Sequence, residues 1–190
     1  MESHQKIGIF GGSFNPIHFG HIGLAHWIIR HTDLDELWMM VTPNNPLKDN
    51  HILAPEQQRL QEATKAVTAS IEANPLPPMK QIRVSDYEFY LPRPSYTAQT
   101  MRSLQHTFPN DQFTLIIGED NWQVFTRWRD WQMIIQQMRI FIYPRHGNGT
   151  SRNLYPDDLP MPDGQHIVLL ANAPYFDISS TQLRSRFTSE

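Results

Sequence analysis

The 190-residue chain contains no cysteine. Disulfides and thiolate metal centres are therefore excluded, and nothing in the residue content suggests an oxidising compartment. Long hydrophobic runs are missing too. No apolar stretch approaches the roughly 20 residues that a membrane helix needs. Met1 to Lys6 is polar and the apolar run Ile7 to Phe10 is too short for a signal segment, so a cytoplasmic protein is expected. An excess of positive charge is likewise absent. Sixteen Lys and Arg stand against 19 Asp and Glu, a formal net charge of −3, which argues against a general nucleic-acid binder. Anionic small molecules stay open, because they need only a local cluster of donors. With 39% hydrophobic and 18% charged residues, the composition is that of a globular chain able to bury a core.

The apolar pattern alternates between short runs and helical stripes. Lys6 to Gly11, Glu36 to Thr42, Gln81 to Val84, Phe113 to Gly118, Arg139 to Tyr143 and Ile167 to Leu170 read as strands. Helices are expected over Phe19 to His31, from Pro55 to Ala73 with a stripe of Leu60, Ala63, Val67 and Ile71, and from Tyr96 to His106 with Ser95 as cap. A Trp-rich helical stretch follows the fourth strand, and Pro144 to Gly164 reads as an irregular loop. There is no internal repeat. Strands alternating with helices imply βαβ units, a parallel sheet and helices on both faces. Ligands of such sheets bind beyond the carboxyl ends of the strands.

Three segments with chemical potential fall at those ends. Gly11-Gly12-Ser13-Phe14-Asn15-Pro16-Ile17-His18-Phe19-Gly20-His21 follows the first strand. Glycines there let a ligand approach the backbone, and the next helix offers free amides and a positive dipole end to an anion. His18 and His21, three residues apart, project from one helix face and can stabilise charge building on a leaving group. The pair could also ligate a metal, but no third ligand presents itself, since His26 lies around the helix; no protein metal site is expected. No Gly-Lys-Ser/Thr follows, so this is not a Walker loop.

Asp177-Ile178-Ser179-Ser180-Thr181-Gln182-Leu183-Arg184 is the second segment. Ser179 and Gln182 fit a capping box, while hydroxyls at a helix start with an Arg one turn on also suit a phosphate. Gly118-Glu119-Asp120 is the third, where Asp120 can cap a helix or accept from ribose hydroxyls.

Taken in order, these segments resemble the adenylyltransferase superfamily with the HxGH motif, and within it the bacterial nicotinate mononucleotide adenylyltransferases. Ser13 and Asn15 stand where Thr and Asp are commoner. The resemblance spans Gly11 to Arg184 and implies a single Rossmann-like nucleotidyltransferase domain over residues 1–190. The implied reaction transfers AMP from ATP to nicotinate mononucleotide, giving deamido-NAD and pyrophosphate, with Mg²⁺ carried by the ATP phosphates. It assigns His18, His21 and Arg184 to catalysis. It gives ATP the residues Gly11, Gly12, Ser13, Phe14, His18, His21, Gly118, Asp120, Ser179, Ser180 and Arg184. Asn15, Lys48, Tyr96, Thr97 and Trp128 would serve the acceptor, with Trp128 stacking on the pyridine and the helix start at Thr97 meeting its carboxylate. Thr181 would support its helix, and Trp131 is expected in the core. Lys48, Arg59 and Arg145 align with basic positions of the family and are candidate phosphate ligands. Arg129 stands where Tyr is common. Other readings are nicotinamide mononucleotide or dual acceptor use, phosphopantetheine adenylyltransfer, and a non-catalytic nucleotide-binding protein.

Overall fold

A computed structural model describes residues 4–43, 53–144, 159–160 and 163–176. Along the chain run β1 (Lys6–Gly12), α1 (Phe19–His31), β2 (Glu36–Val41), α2 (Glu56–Ala73), β3 (Gln81–Ser85), a 3₁₀ turn (Tyr87–Tyr90) and α3 (Thr97–Thr107). Then come β4 (Gln112–Gly118), α4 (Glu119–Gln123), a second 3₁₀ turn (Phe125–Arg127), α5 (Trp131–Gln137), β5 (Arg139–Tyr143) and β6 (Ile167–Leu169). All six expected strands form within a residue or two of their expected ends.

The strands make one sheet in the order β3-β2-β1-β4-β5-β6, parallel at every pairing. The chain winds outward from β1 through β2 to β3, then returns to β4 at the other side of β1. The carboxyl ends of β1 and β4 are therefore the switch point at which a crevice opens. Glycine-rich Gly11–Gly12 and Gly118 end those two strands.

Alternation along β1 divides the core between the two faces of the sheet. Ile7 and Ile9 pack with Met101 and Leu104 of α3, Ile134 of α5, Trp122 and Phe125. Phe10 faces the opposite side with Leu24, Ala25, Ile28 and Ile29 of α1 and Ala63 and Val67 of α2. Gly8 lies between them for a steric reason. A Cβ there would sit 2.6 Å from Leu34 Cδ1 and 2.7 Å from Ile116 Cδ1, so its absence lets those two side chains close over the strand.

Two local expectations are corrected. Ser95 does not cap α3: Tyr96 is the N-cap, extended at φ −104° and ψ 130° and making no side-chain cap bond. Its carbonyl instead takes the amides of Gln99 and Thr100 at 2.9 and 3.1 Å, while the Ser95 hydroxyl is buried without a partner. The Trp-rich stretch is not one helix but α4, a 3₁₀ turn and α5. Trp122, Phe125 and Trp128 are spaced by three, a period that a 3₁₀ turn eclipses and an α-helix fans out. Their rings consequently meet in sequence, tilted by 36° and 38°, with centroids 5.2 and 5.0 Å apart. Trp131 packs half-buried against the same core. Among the described residues, no helix is long and apolar enough to cross a membrane.

Candidate active site at the switch point

The loop from Gly11 to His18 is shaped by what lies beneath it. Phe14 adopts φ 44°, a left-handed backbone uncommon for a bulky residue, and is 1% exposed. Its ring meets Phe10 at 5.9 Å and His21 at 5.1 Å, both edge-on. The buried Phe14 side chain thus braces the His21 ring. Gly12 permits this, since a Cβ there would lie 3.1 Å from the Phe14 ring. Gly11 differs: among the described residues, a Cβ would meet only the Thr42 hydroxyl at 3.9 Å. Packing among the described residues does not explain that glycine, and its exposed backbone suits the close approach of a ligand.

His18 is the extended N-cap of α1, and its carbonyl accepts the His21 amide at 3.0 Å. Its own amide points at His21 Nδ1, 3.4 Å away. This contact favours Nδ1 as acceptor and leaves Nε2 to carry the proton. The two imidazoles stack with centroids 3.7 Å apart and planes 28° from parallel. Both expected catalytic rings therefore share one face at the first turn of α1, where free amides already favour an anion.

Arg59 resolves differently from expectation. It is 1% exposed, and its donors go to backbone carbonyls: Ala54 at 2.9 Å, Thr42 at 2.9 Å, Pro43 at 3.2 Å, and Ser13. Burial lowers its pKa, but the carbonyl dipoles take up its charge in place of water. It is a clamp joining the glycine loop to the end of β2, not a phosphate ligand. Asn15 belongs to the same corner: it is 6% exposed, and its Oδ1 accepts the Ala54 amide at 3.3 Å. Ser13 contributes its carbonyl to the same clamp.

Sequence reasoning missed a second buried group. Glu88 accepts from the hydroxyls of Thr100, at 2.8 Å, and Thr42. It ties the end of β2 to the first turns of α3. Burial raises its pKa, and the two hydroxyls partly oppose that rise. Lying among Tyr87, Phe89 and Tyr90, this carboxyl carried no positional signal that separated it from a surface charge.

At the α3 start, Tyr96 and Thr97 are half-buried, and the amides of Thr97 and Ala98 meet no acceptor among the described residues. Trp128 is half-buried on Phe125. Across the switch point, Asp120 lies in the first turn of α4, exposed, with Gly118 as N-cap. The cap role weighed for Asp120 thus falls to Gly118. Phe176 reaches α1 from the far end of the chain. Its ring meets Phe19 at 5.9 Å and fits over Gly23, where a Cβ would be 2.5 Å from Cζ. The expected sites at Lys48, Arg145, Ser179, Ser180, Thr181 and Arg184 lie outside the described residues. Among the described residues there is no group of three His, Asp or Glu arranged to hold a metal ion.

A parallel doubly wound sheet, with a glycine loop and paired histidines at its switch point, is the architecture of a nucleotide-binding α/β protein. The chain belongs to the Cytidylyltransferase-like family, whose profile matches residues 9–186. It is similar to the "Probable nicotinate-nucleotide adenylyltransferase" of Bacteroides fragilis, with 44% identity over 94% of this chain and 80% of that protein. The protein of the same name from Flavobacterium psychrophilum is 38% identical over 98% of this chain and 88% of its own. Among solved structures, the Plasmodium falciparum nicotinic acid mononucleotide adenylyltransferase complexed with NaAD superposes with a TM-score of 0.70, covering 96% of this chain and 83% of that one. At 19% identity, that likeness establishes the fold.

Proposed function

We propose that this protein transfers AMP from ATP to nicotinate mononucleotide, forming deamido-NAD and releasing pyrophosphate. The observation that carries the reading is the stacked pair His18 and His21 at the α1 start, beside the open Gly11 backbone and across the switch point from Asp120.

In this reaction an oxygen of the mononucleotide 5′-phosphate attacks the α-phosphorus of ATP. The new P–O bond forms as the bond to the pyrophosphate oxygen breaks, with no covalent enzyme intermediate. The attacking oxygen is already ionised, so the protein needs no strong general base. Its work is alignment and charge stabilisation. The two imidazoles, braced by Phe14 and fixed to the helix start, donate toward the α-phosphate and the leaving oxygen. Arg59 holds the loop that carries them. Asp120 accepts from the adenosine ribose, Trp128 stacks on the pyridine, and the α3 start at Tyr96 and Thr97 receives the ring substituent. Lys48 binds the acceptor phosphate, and Ser179, Ser180 and Arg184 complete the pyrophosphate end. Mg²⁺ carried by the triphosphate, whose hard oxygens suit the cation, would offset phosphate charge there. The cytoplasm, where ATP is abundant, is the proposed location.

The test is pyrophosphate release from ATP and Mg²⁺ with nicotinate mononucleotide. Release that depends on the mononucleotide and yields a dinucleotide product supports the reading. Release without an acceptor, or none at all, would overturn it.

A further inference from the structure

We infer that the Arg129 side chain selects an acidic pyridine over a neutral one by meeting the acceptor's ring carboxylate. The inference rests on the reaction proposed above and concerns its acceptor end.

Arg129 is exposed, and its guanidinium carbon lies 5.0 Å from the centroid of the Tyr96 ring. Tyr96 is the N-cap of α3. The cation thus rests on the side chain of the residue that immediately precedes the amides of Thr97 and Ala98, which lack acceptors among the described residues. The buried, unpartnered Ser95 hydroxyl adjoins the same helix start. A guanidinium resting on an aromatic face keeps its edge N–H groups available in its own plane, where a carboxylate can be met by two parallel bonds.

Neighbouring carboxylates do not quench this charge. Asp130, the next residue, pairs with Arg102 at 2.9 Å. Glu56 pairs with Arg93, also at 2.9 Å. Among the described residues, Arg129 has no ion pair or hydrogen bond of its own beyond the Tyr96 face. Among the described residues, this corner therefore presents donors from two elements and no carboxylate paired with Arg129.

That arrangement discriminates by subtraction as well as by attraction. A carboxylate has two acceptor oxygens, one for the α3 amides and one for the guanidinium. A carboxamide has a single oxygen, and its NH₂ must then point at one of the two donor sets. One donor group is left unsatisfied, and that cost falls on the neutral acceptor alone.

The experiment measures kcat/KM for nicotinate and nicotinamide mononucleotides with the wild type and with Arg129→Gln, Arg129→Lys and, as an equal-charge control, exposed Arg127→Gln. Binding of each mononucleotide is followed in parallel by quenching of tryptophan fluorescence. Arg129→Gln is expected to lower kcat/KM for the acid by roughly 10- to 100-fold, the scale of a lost hydrogen bond to a charged group, and to change the amide value far less. Arg129→Lys should fall between, because an ammonium keeps the charge but not the fork. Arg127→Gln should leave the acid-to-amide ratio as it was. An unchanged ratio in Arg129→Gln, or an equal loss for both acceptors, overturns the inference while the reaction stands. A wild type that turns over neither acceptor overturns the reaction itself.

Discussion

At the scale of single residues, His18 and His21 owe their geometry to neighbours. The imidazoles stack because α1 begins at Phe19, with His18 as its N-cap and His21 at the third helical position. His18→Ala is expected to lower turnover by about 10²-fold, the effect of losing one preorganised transition-state donor, with the melting temperature little changed. Turnover within a few-fold of wild type would remove His18 from the chemistry. Trp128 makes a different prediction. Its ring packs on Phe125 but is only half-buried, so Trp128→Ala should raise KM for the mononucleotide more than KM for ATP. Equal rises would mark it as a packing residue. Both histidines were legible in the sequence because a short motif with fixed spacing encodes them. Arg59 was not. Its carbonyl partner at Ser13 is 46 positions away, and no local pattern distinguishes a clamp from a solvated charge.

At the scale of elements, the glycine loop is held between β1 and α1 by contacts from α2 and the end of β2. Arg59→Ala would leave the carbonyls of Ala54, Thr42, Pro43 and Ser13 without their donor. A loss of about 3 kcal/mol or more is expected, since each buried unsatisfied group costs roughly 1–3 kcal/mol. Arg59→Lys should not restore it, because one ammonium cannot span four acceptors in a fixed fork. Thermal unfolding checks this, and a melting temperature equal to wild type in either variant would refute the clamp. The helices and strands themselves followed from periodicity: the α2 stripe at Ala63 and Val67 is buried as expected. Periodicity failed after β4, where aromatic packing at three-residue spacing overrides helical continuity. It failed again at Ser95, whose side chain faces inward and so cannot cap.

For the molecule as a whole, two buried titratable groups pull stability in opposite directions with pH. His26 accepts at Nδ1 from Arg30 and meets Ser70 at Nε2, each at 3.0 Å. Burial, then the Arg30 charge, lower its pKa below the usual 6.5. A base with a depressed folded pKa gives stability that is present above the unfolded value and lost as pH falls through the folded one. Glu88 is the reverse: its folded pKa is raised, so its contribution is full below the ordinary carboxylate value and declines as pH rises. The melting temperature should therefore decline on acidification below about 6.5, partly through His26. Glu88→Gln should gain relative to wild type as pH rises from 5 to 8, because an amide does not ionise. A difference between the two proteins that stays constant with pH would show that Glu88 does not titrate in this range.

The sequence by itself determined the six strands, the helices around them, the parallel sheet with its ligand-binding edge, and the paired histidines at the first βα turn. These are encoded by hydrophobic period and by residues only a few positions apart, so neighbours along the chain suffice to read them. Only the tertiary structure decided that Arg59 braces a loop, that the Phe14 side chain is buried against His21, and that Glu88 joins β2 to α3. It likewise placed Arg129 on Tyr96, 33 positions away. Such roles depend on which polar group finds its partner once water is excluded. Those partners become neighbours only when the sheet has brought distant segments to a single edge.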